Sequence, residues 1–408
     1  METSPLESKE VNSVAASSEF KKRSLIRPVY LPSFLFTAAE GAMFPILPVS
    51  ATAYGFDLAS AGIVTGVMLF GTMVFEVPAS WITTRLGERT AMVTASIFGA
   101  LATALAFLDL GYIALLLAAL SFGAAHSLFG LARHSLLAEL VPSGSRPRAM
   151  SMLGGMFRGG MAVGPVLGSA AIAALGVQFG YLVALVLCLM AGISVFLVPA
   201  HRISTTPSGQ HGGVWEVGKR ESKKLLTLGI ASAIISAGRT IRLIGLPLLA
   251  IYLSIDAATS SFIFGVTGLI DFSLFYLSGI IMDKYGKFWA SVPTLLALGF
   301  AYLFSFLVVD LTTFWIMAAV TALANAVSAG INMILGADLA PEGSRSEFLA
   351  SFRMLTSGGV VVAPLIISSV TAIASLPIAL AATGLLNFYG AYLFWKYLPI
   401  YAPSKSND

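Results

Sequence analysis

The chain is predicted to be an all-α membrane protein of twelve transmembrane helices, arranged as two six-helix pseudo-symmetric bundles. Three observations predict this. The first is composition. Of 408 residues, 57% are hydrophobic and only 11% charged, with a mean hydropathy of +0.87; charged residues make up about a quarter of a soluble domain. The second is duplication. Glu139-Leu140-Val141-Pro142-Ser143-Gly144-Ser145-Arg146 returns as Asp338-Leu339-Ala340-Pro341-Glu342-Gly343-Ser344-Arg345, and 338 − 139 = 199. The same shift carries Pro48 onto Pro247, Asp57 onto Asp256, Gly66 onto Gly265, Gly87 onto Gly286, Gly160 onto Gly359 and Pro165 onto Pro364. The third is charge placement, with basic residues gathered on alternate connections.

Apolar stretches near the ~20 residues needed to cross hydrocarbon fall at 29–53, 58–82, 90–108, 112–138, 149–173 and 178–198 in the first copy. In the second they fall at 225–252, 258–281, 289–308, 312–337, 347–370 and 376–396. Segment 1–26 reads as a disordered tail without a signal-type apolar core. The first bundle is 27–198, the linker 199–224, the second bundle 225–397 and the C-tail 398–408. A short interfacial helix is expected around Trp215. The lone Cys188 excludes an internal disulfide and reads as a packing residue.

Apart from Arg133, Arg158, Arg239, Arg242 and Arg353 inside spans, lysines and arginines fall in the termini or the even-to-odd connections. The odd-to-even connections hold Asp57, Asp109, Asp256 and Asp310 and no basic residue. The positive-inside rule then puts both termini in the cytoplasm of a cell membrane, expected to be a bacterial inner or plasma membrane. Tandem apolar halves are a mark of secondary transporters, whose site lies between the repeats near the midplane.

After span eight, Gly279-Ile280-Ile281-Met282-Asp283-Lys284-Tyr285-Gly286-Lys287 runs Gly, three residues, Asp, basic, any, Gly, basic. The first-half copy is degenerate: Ser80 and Thr84 replace Gly and Asp, while Arg85, Gly87 and Arg89 remain. In span five, Gly160, Gly164, Pro165 and Gly168 form Gly-xxx-Gly-Pro-xx-Gly, followed by Ser169. On these motifs the chain resembles the major facilitator superfamily, and within it the drug and metabolite proton antiporters. The resemblance implies the major facilitator fold, a cytoplasmic loop lock and export by exchange. The duplicated Glu139–Arg146 and Asp338–Arg345 pairs then read as gate latches, with Asp283 joined to Asp338 and Arg345, or as plain helix caps. The span-five motif reads as an export signature or as helix packing alone.

Charges in hydrocarbon cost at least ~2.5–3.5 kcal/mol at a helix centre, so intramembrane ionisable residues are functional candidates. Glu40 and Arg239 occupy equivalent positions in spans one and seven, and the resemblance, which implies that both spans line the central cavity, implies that they face each other across the path. Arg242 follows one turn later. Asp271 in span eight and Glu76 in span two lie at related heights. Glu40, Asp271 and Glu76, in that order, are candidate proton carriers, or members of permanent ion pairs with the arginines. Arg158 and Arg353 read as cavity-facing and Arg133 as snorkelling to headgroups. His126 is equivalent to Asn325, and both suggest helix–helix hydrogen bonds on a polar wall. Five span arginines against three span acids favour an anionic or zwitterionic substrate.

The expected function is proton-coupled export of a small amphipathic or anionic organic compound by alternating access. Uptake by symport or uniport is the alternative, and a non-transporting receptor or scaffold the distant third. No nucleotide loop, metal-ligand cluster or nucleophile–base set points to an enzyme, and no cofactor or metal is called for; His201 and His211 are too isolated for a metal site. Expected partners are the small-molecule substrate, protons and the lipid bilayer, with no nucleic acid, and the protein is expected to be a monomer.

Overall fold

A computed structural model describes residues 25–142, 145–197, 214–342 and 344–402. His201, His211 and all but the last two residues of the 1–26 tail lie outside them. Among the described residues, eleven helices are long and apolar enough to cross a membrane, and a bent pair makes a twelfth. The spans are α1 (Ile26–Ala53), α2 (Leu58–Val74 and Glu76–Leu86, bent by 49°), α3 (Glu88–Phe107), α4 (Tyr112–Leu140), α5 (Arg146–Leu175) and α6 (Gln178–Phe196). Their counterparts are α7 (Ser222–Tyr252), α8 (Ala257–Tyr285), α9 (Lys287–Leu307), α10 (Leu311–Leu339), α11 (Arg345–Ile373) and α12 (Leu376–Tyr401). The 199-residue shift carries both ends of α4 onto those of α10, and the first residue of α5 onto that of α11. The duplication is therefore structural, down to helix ends.

Local chemistry explains those ends. Asp57 and Asp256 cap α2 and α8, each accepting a 2.9 Å bond from a backbone N–H three residues on, Ser60 and Thr259. Hydrogen bonding from Ser60 and Thr259 holds both carboxyls below their ordinary range. A lowered native pKa means the cap contributes fully above about pH 4 and is lost as pH falls through the lowered value. Asp57→Ala or Asp256→Ala should each cost about 1 kcal/mol, and the Asn variants much less. Thermal unfolding of the purified protein measures both. After α2 and α8 the chain turns at Gly87 and Gly286, with φ of +78° and +86°, a region closed to most side chains.

α1 and α7 are the most thoroughly buried spans. α3 packs on α4 and α6, and α9 on α10 and α12, on the outside of each bundle. The bundles meet through α2 against α11 and α5 against α8. These interfaces are tightest in the half remote from Ile26 and Tyr401. There a Cβ on Gly265 would lie 2.9 Å from the Ala162 carbonyl, and one on Gly66 would lie 3.0 Å from Pro364. Ser169 also donates a 2.8 Å bond to the Ala258 carbonyl. In the other half, nothing stands within 4 Å of a Cβ built on Gly154, Gly279 or Gly358. The packing between the bundles thus loosens towards the end carrying Ile26 and Tyr401, hereafter the terminal face, where α5 still meets α8 with a Cβ on Gly155 3.5 Å from Phe275. Here the helix Val214–Arg220 packs on α11, and Arg220 donates to the Ser344 hydroxyl at 2.7 Å.

Candidate functional site

In the first bundle, Glu40 is 5% exposed, and its Oε2 lies 3.0 Å from His126 Nδ1 on α4. The approach is electrostatic rather than an aligned hydrogen bond, since neither atom has a hydrogen-bond partner. The His126 ring meets Phe157 of α5 edge-on at 6.4 Å, and the Arg133 guanidinium lies 5.6 Å from the centre of the same ring. Seven residues separate His126 from Arg133, two helical turns, so both occupy one face of α4. Phe157 stands between them as an aromatic wall.

In the second bundle the carboxylate beside Asn325, the equivalent of His126, is Asp271, which comes from α8 rather than from α7. Its Oδ2 accepts from Asn325 Nδ2 on α10 at 2.7 Å. Its Oδ1 accepts from Arg158 Nη1 on α5 at 2.5 Å, which ties the two bundles together near the middle of α5 and α8. A related pair lies one turn nearer the terminal face. Arg353 Nη2 of α11 approaches Glu76 Oε1 of α2 at 4.0 Å, with side chains 79% and 53% exposed. Glu76 sits at the bend of α2. The two acid–arginine pairs are thus related by the pseudo-symmetry, one tight and enclosed, the other loose and wet.

Several sequence expectations need correction. Glu40 and Arg239 do not face each other as a pair. Arg239 turns into its own bundle, where Nη2 donates to the carbonyl and the hydroxyl of Ser328, at 2.5 and 2.9 Å. Ser328 begins a break in α10 that ends at Gly330, with φ of +80°. Such a break frees carbonyls that need donors, and Arg239 supplies one. Arg242 donates to Thr267 of α8 at 3.0 Å and is likewise enclosed in its bundle. Arg133 does not snorkel: it is 6% exposed, because α4 turns it towards Phe157 rather than lipid.

The latch also differs. Asp338 pairs with Lys287 at 2.5 Å, joining α9 to α10 within one bundle, while Asp283 is exposed with no ion pair among the described residues. Lys287 at the start of α9 reaches Asp338 and leaves Asp283, on the exposed end of α8, without that partner. Gly279 lies inside α8 and makes no turn; Gly286 makes it. Lys284 lies 5.3 Å from the Tyr285 ring, Arg85 lies 4.0 Å from the Trp81 ring, and neither bridges to a neighbouring helix end. Arg89 bonds the Val195 and Phe196 carbonyls, capping α6 instead of serving a gate. Glu88, not Arg89, stands at the position of Lys287, and it accepts a 2.9 Å bond from Ser135. Arg146 bonds the Val141 carbonyl at 3.1 Å, a local cap.

The span-five glycines face α1. A Cβ on Gly160 would lie 2.1 Å from the Thr37 hydroxyl oxygen, and one on Gly164 would lie 2.0 Å from the Ala38 carbonyl oxygen. Gly168 has room, at 3.6 Å from Ala42. Helix packing therefore accounts for Gly160 and Gly164. Sequence reasoning passed over Phe157, Ser328, Thr267 and His134; the Arg133-His134 dipeptide inside a span was a usable signal for the last. Among the described residues, no group of three or more His, Cys, Asp or Glu could hold a metal.

Residues 29–227 match the family described as Major Facilitator Superfamily. No curated protein matches the chain by sequence. Among solved structures, the fold is similar to a POT family transporter in complex with 5-aminolevulinic acid, at 11% identity and a TM-score of 0.75, covering 94% of this chain and 98% of that one. It is similar also to a bacterial homolog of the human lysosomal transporter Spinster, inward-facing and unoccupied, at 14% identity and 0.73, covering 93% and 98%. A D-xylose-proton symporter aligns at 14% and 0.72 over 93% and 98%. The chain thus has the duplicated-bundle fold of these transporters, and residues 29–227 of it match the Major Facilitator Superfamily.

Proposed function

We propose that the protein is a proton-coupled secondary transporter that exports a small amphipathic or anionic organic compound by alternating access. The Asp271 bridge carries this reading. One carboxylate joins Arg158 of the first bundle to Asn325 of the second. Protonation removes the charge that binds Arg158, so it loosens a tie between bodies that must rock against each other. An anionic substrate reaching Arg158 would compete for the same guanidinium, which links its passage to that of a proton. Glu40, held against His126, is the second proton-bearing group in this scheme. Basic residues on the terminal face, among them Arg85, Lys284 and Lys287, support a cytoplasmic assignment for that face. The substrate opening would then face the cytoplasm, as loading for export requires.

Uptake by symport is the second reading. It is favoured by the packing role of Gly160 and Gly164, which leaves the span-five motif silent on direction. Inside-out vesicles with an acidic lumen distinguish the two. Export by exchange predicts proton efflux when organic anion is added outside; symport predicts it only when the anion is loaded inside. Glu40→Gln should abolish the flux while leaving anion binding intact. Flux unchanged in Glu40→Gln would remove that residue from the coupling scheme.

A further inference from the structure

We propose that Arg133, together with Arg353 across the opening, is the docking point for the anionic group of the transported compound. The inference rests on the organic-anion reading above and gives it a place. Of the five intramembrane arginines, four have partners: Arg158 with Asp271, Arg353 loosely with Glu76, Arg239 with Ser328 and Arg242 with Thr267. Arg133 stands apart. It is 94% buried, and among the described residues no hydrogen bond or ion pair reaches its guanidinium. Its Nε is sealed from solvent without a hydrogen-bond partner, its closest contact of note is the Phe157 ring, and the Glu40 carboxylate attracts it only through space. A buried, unpaired charge is costly unless something supplies the counter-charge.

The surroundings fit an anion with an apolar or aromatic body. Arg133 lies about two turns from the terminal end of α4, and Arg353 about two turns from that end of α11, so they stand at one height on opposite bundles. His134 is exposed beside Arg133 and within electrostatic range of both Arg133 and Arg353. Its Nδ1 lies 2.6 Å from the Gly130 carbonyl, which leaves Nε2 uncommitted. Arg353 is the accessible member, 79% exposed and 4.0 Å from Glu76, an acid 53% exposed. An anion held by Arg133 would draw Arg353 from Glu76 and pull the two bundles together over itself. Guanidinium groups suit this role because their fork matches a carboxylate, and Phe157 offers a ring face against which the apolar body can rest.

Benzoate binding to the purified full-length protein, followed by calorimetry, tests the site, with benzylamine as the cationic control. Benzoate but not benzylamine should bind, and Arg133→Gln and Arg353→Gln should each weaken benzoate at least tenfold. Arg133→Gln should also leave the unliganded Tm no lower than that of the parent, because it removes a buried charge that has no hydrogen-bonded partner and only a through-space attraction to Glu40; a structural arginine would lower it. Arg133→Lys, which keeps the charge, should retain part of the affinity if Arg133→Gln fails to fold. Benzoate binding within twofold of the parent in Arg133→Gln would overturn the site while leaving anion transport standing. Absence of benzoate binding to the parent protein would overturn the site as well. Binding as described but no proton flux in vesicles would sink the coupling scheme and leave the site.

Discussion

Asp271→Ala is expected to destabilise the protein by about 3 kcal/mol, and Arg158→Ala by a similar amount, whereas the double variant should cost far less than their sum. Removing one member of an enclosed ion pair strands the other charge, at about 3–5 kcal/mol. Side chains 18% and 11% exposed argue for the lower end of that range. Replacing both members by apolar groups of similar size, as in Arg158→Met with Asp271→Met, removes both desolvation penalties and should recover most of the stability. Function should part company with stability here. The double variant folds, yet it has neither the proton site nor the guanidinium that competes for it, so coupled flux should be lost. Chemical unfolding in detergent measures the cycle, and vesicle assays measure flux. Strictly additive single effects would mean that the 2.5 Å contact carries no coupling.

The second large effect lies in packing. Gly164→Ala is expected to cost about 3 kcal/mol or more, the upper part of the range for overpacking. The added carbon would sit 2.0 Å from the Ala38 carbonyl oxygen, a backbone atom that cannot rotate aside. Gly359→Ala should behave alike, because its Cβ would lie 2.2 Å from the Ala233 carbonyl oxygen, the second-half version of the same helix crossing. Gly168→Ala is the internal control. Its Cβ meets Ala42 at an ordinary 3.6 Å, and the variant should unfold close to the parent temperature. A large loss at Gly168 with none at Gly164 would contradict the α1–α5 packing described here.

Much of the site's depth was legible in the sequence, and little of its pairing. Spacing put Glu40, Asp271, Arg158 and Arg353 within spans at related heights, and the 199-residue shift matched His126 with Asn325. Those two residues do serve related ends, each beside a buried carboxylate on a neighbouring helix. The same shift misled at Glu40 and Arg239. Equivalent positions and opposite charges suggested a pair, but each side chain found a partner on another helix of its own bundle. A long guanidinium chooses among several carbonyls and carboxylates within reach, and sequence spacing does not rank them.

By itself, then, the sequence determined the membrane setting, the duplication, the helix ends at Asp57, Asp256, Gly87 and Gly286, and the depth of each charge. These follow from composition, local hydrogen bonding and backbone sterics, all of which act over a few residues. Only the tertiary structure decided that Arg133 is enclosed beside Phe157, that Lys287 rather than Asp283 holds Asp338, and that the packing between the bundles loosens towards one face. Spans that are apolar nearly all round carry little amphipathic signal, so their rotation about their own axes is fixed by neighbours. That rotation decides which charges meet and which are left for a ligand.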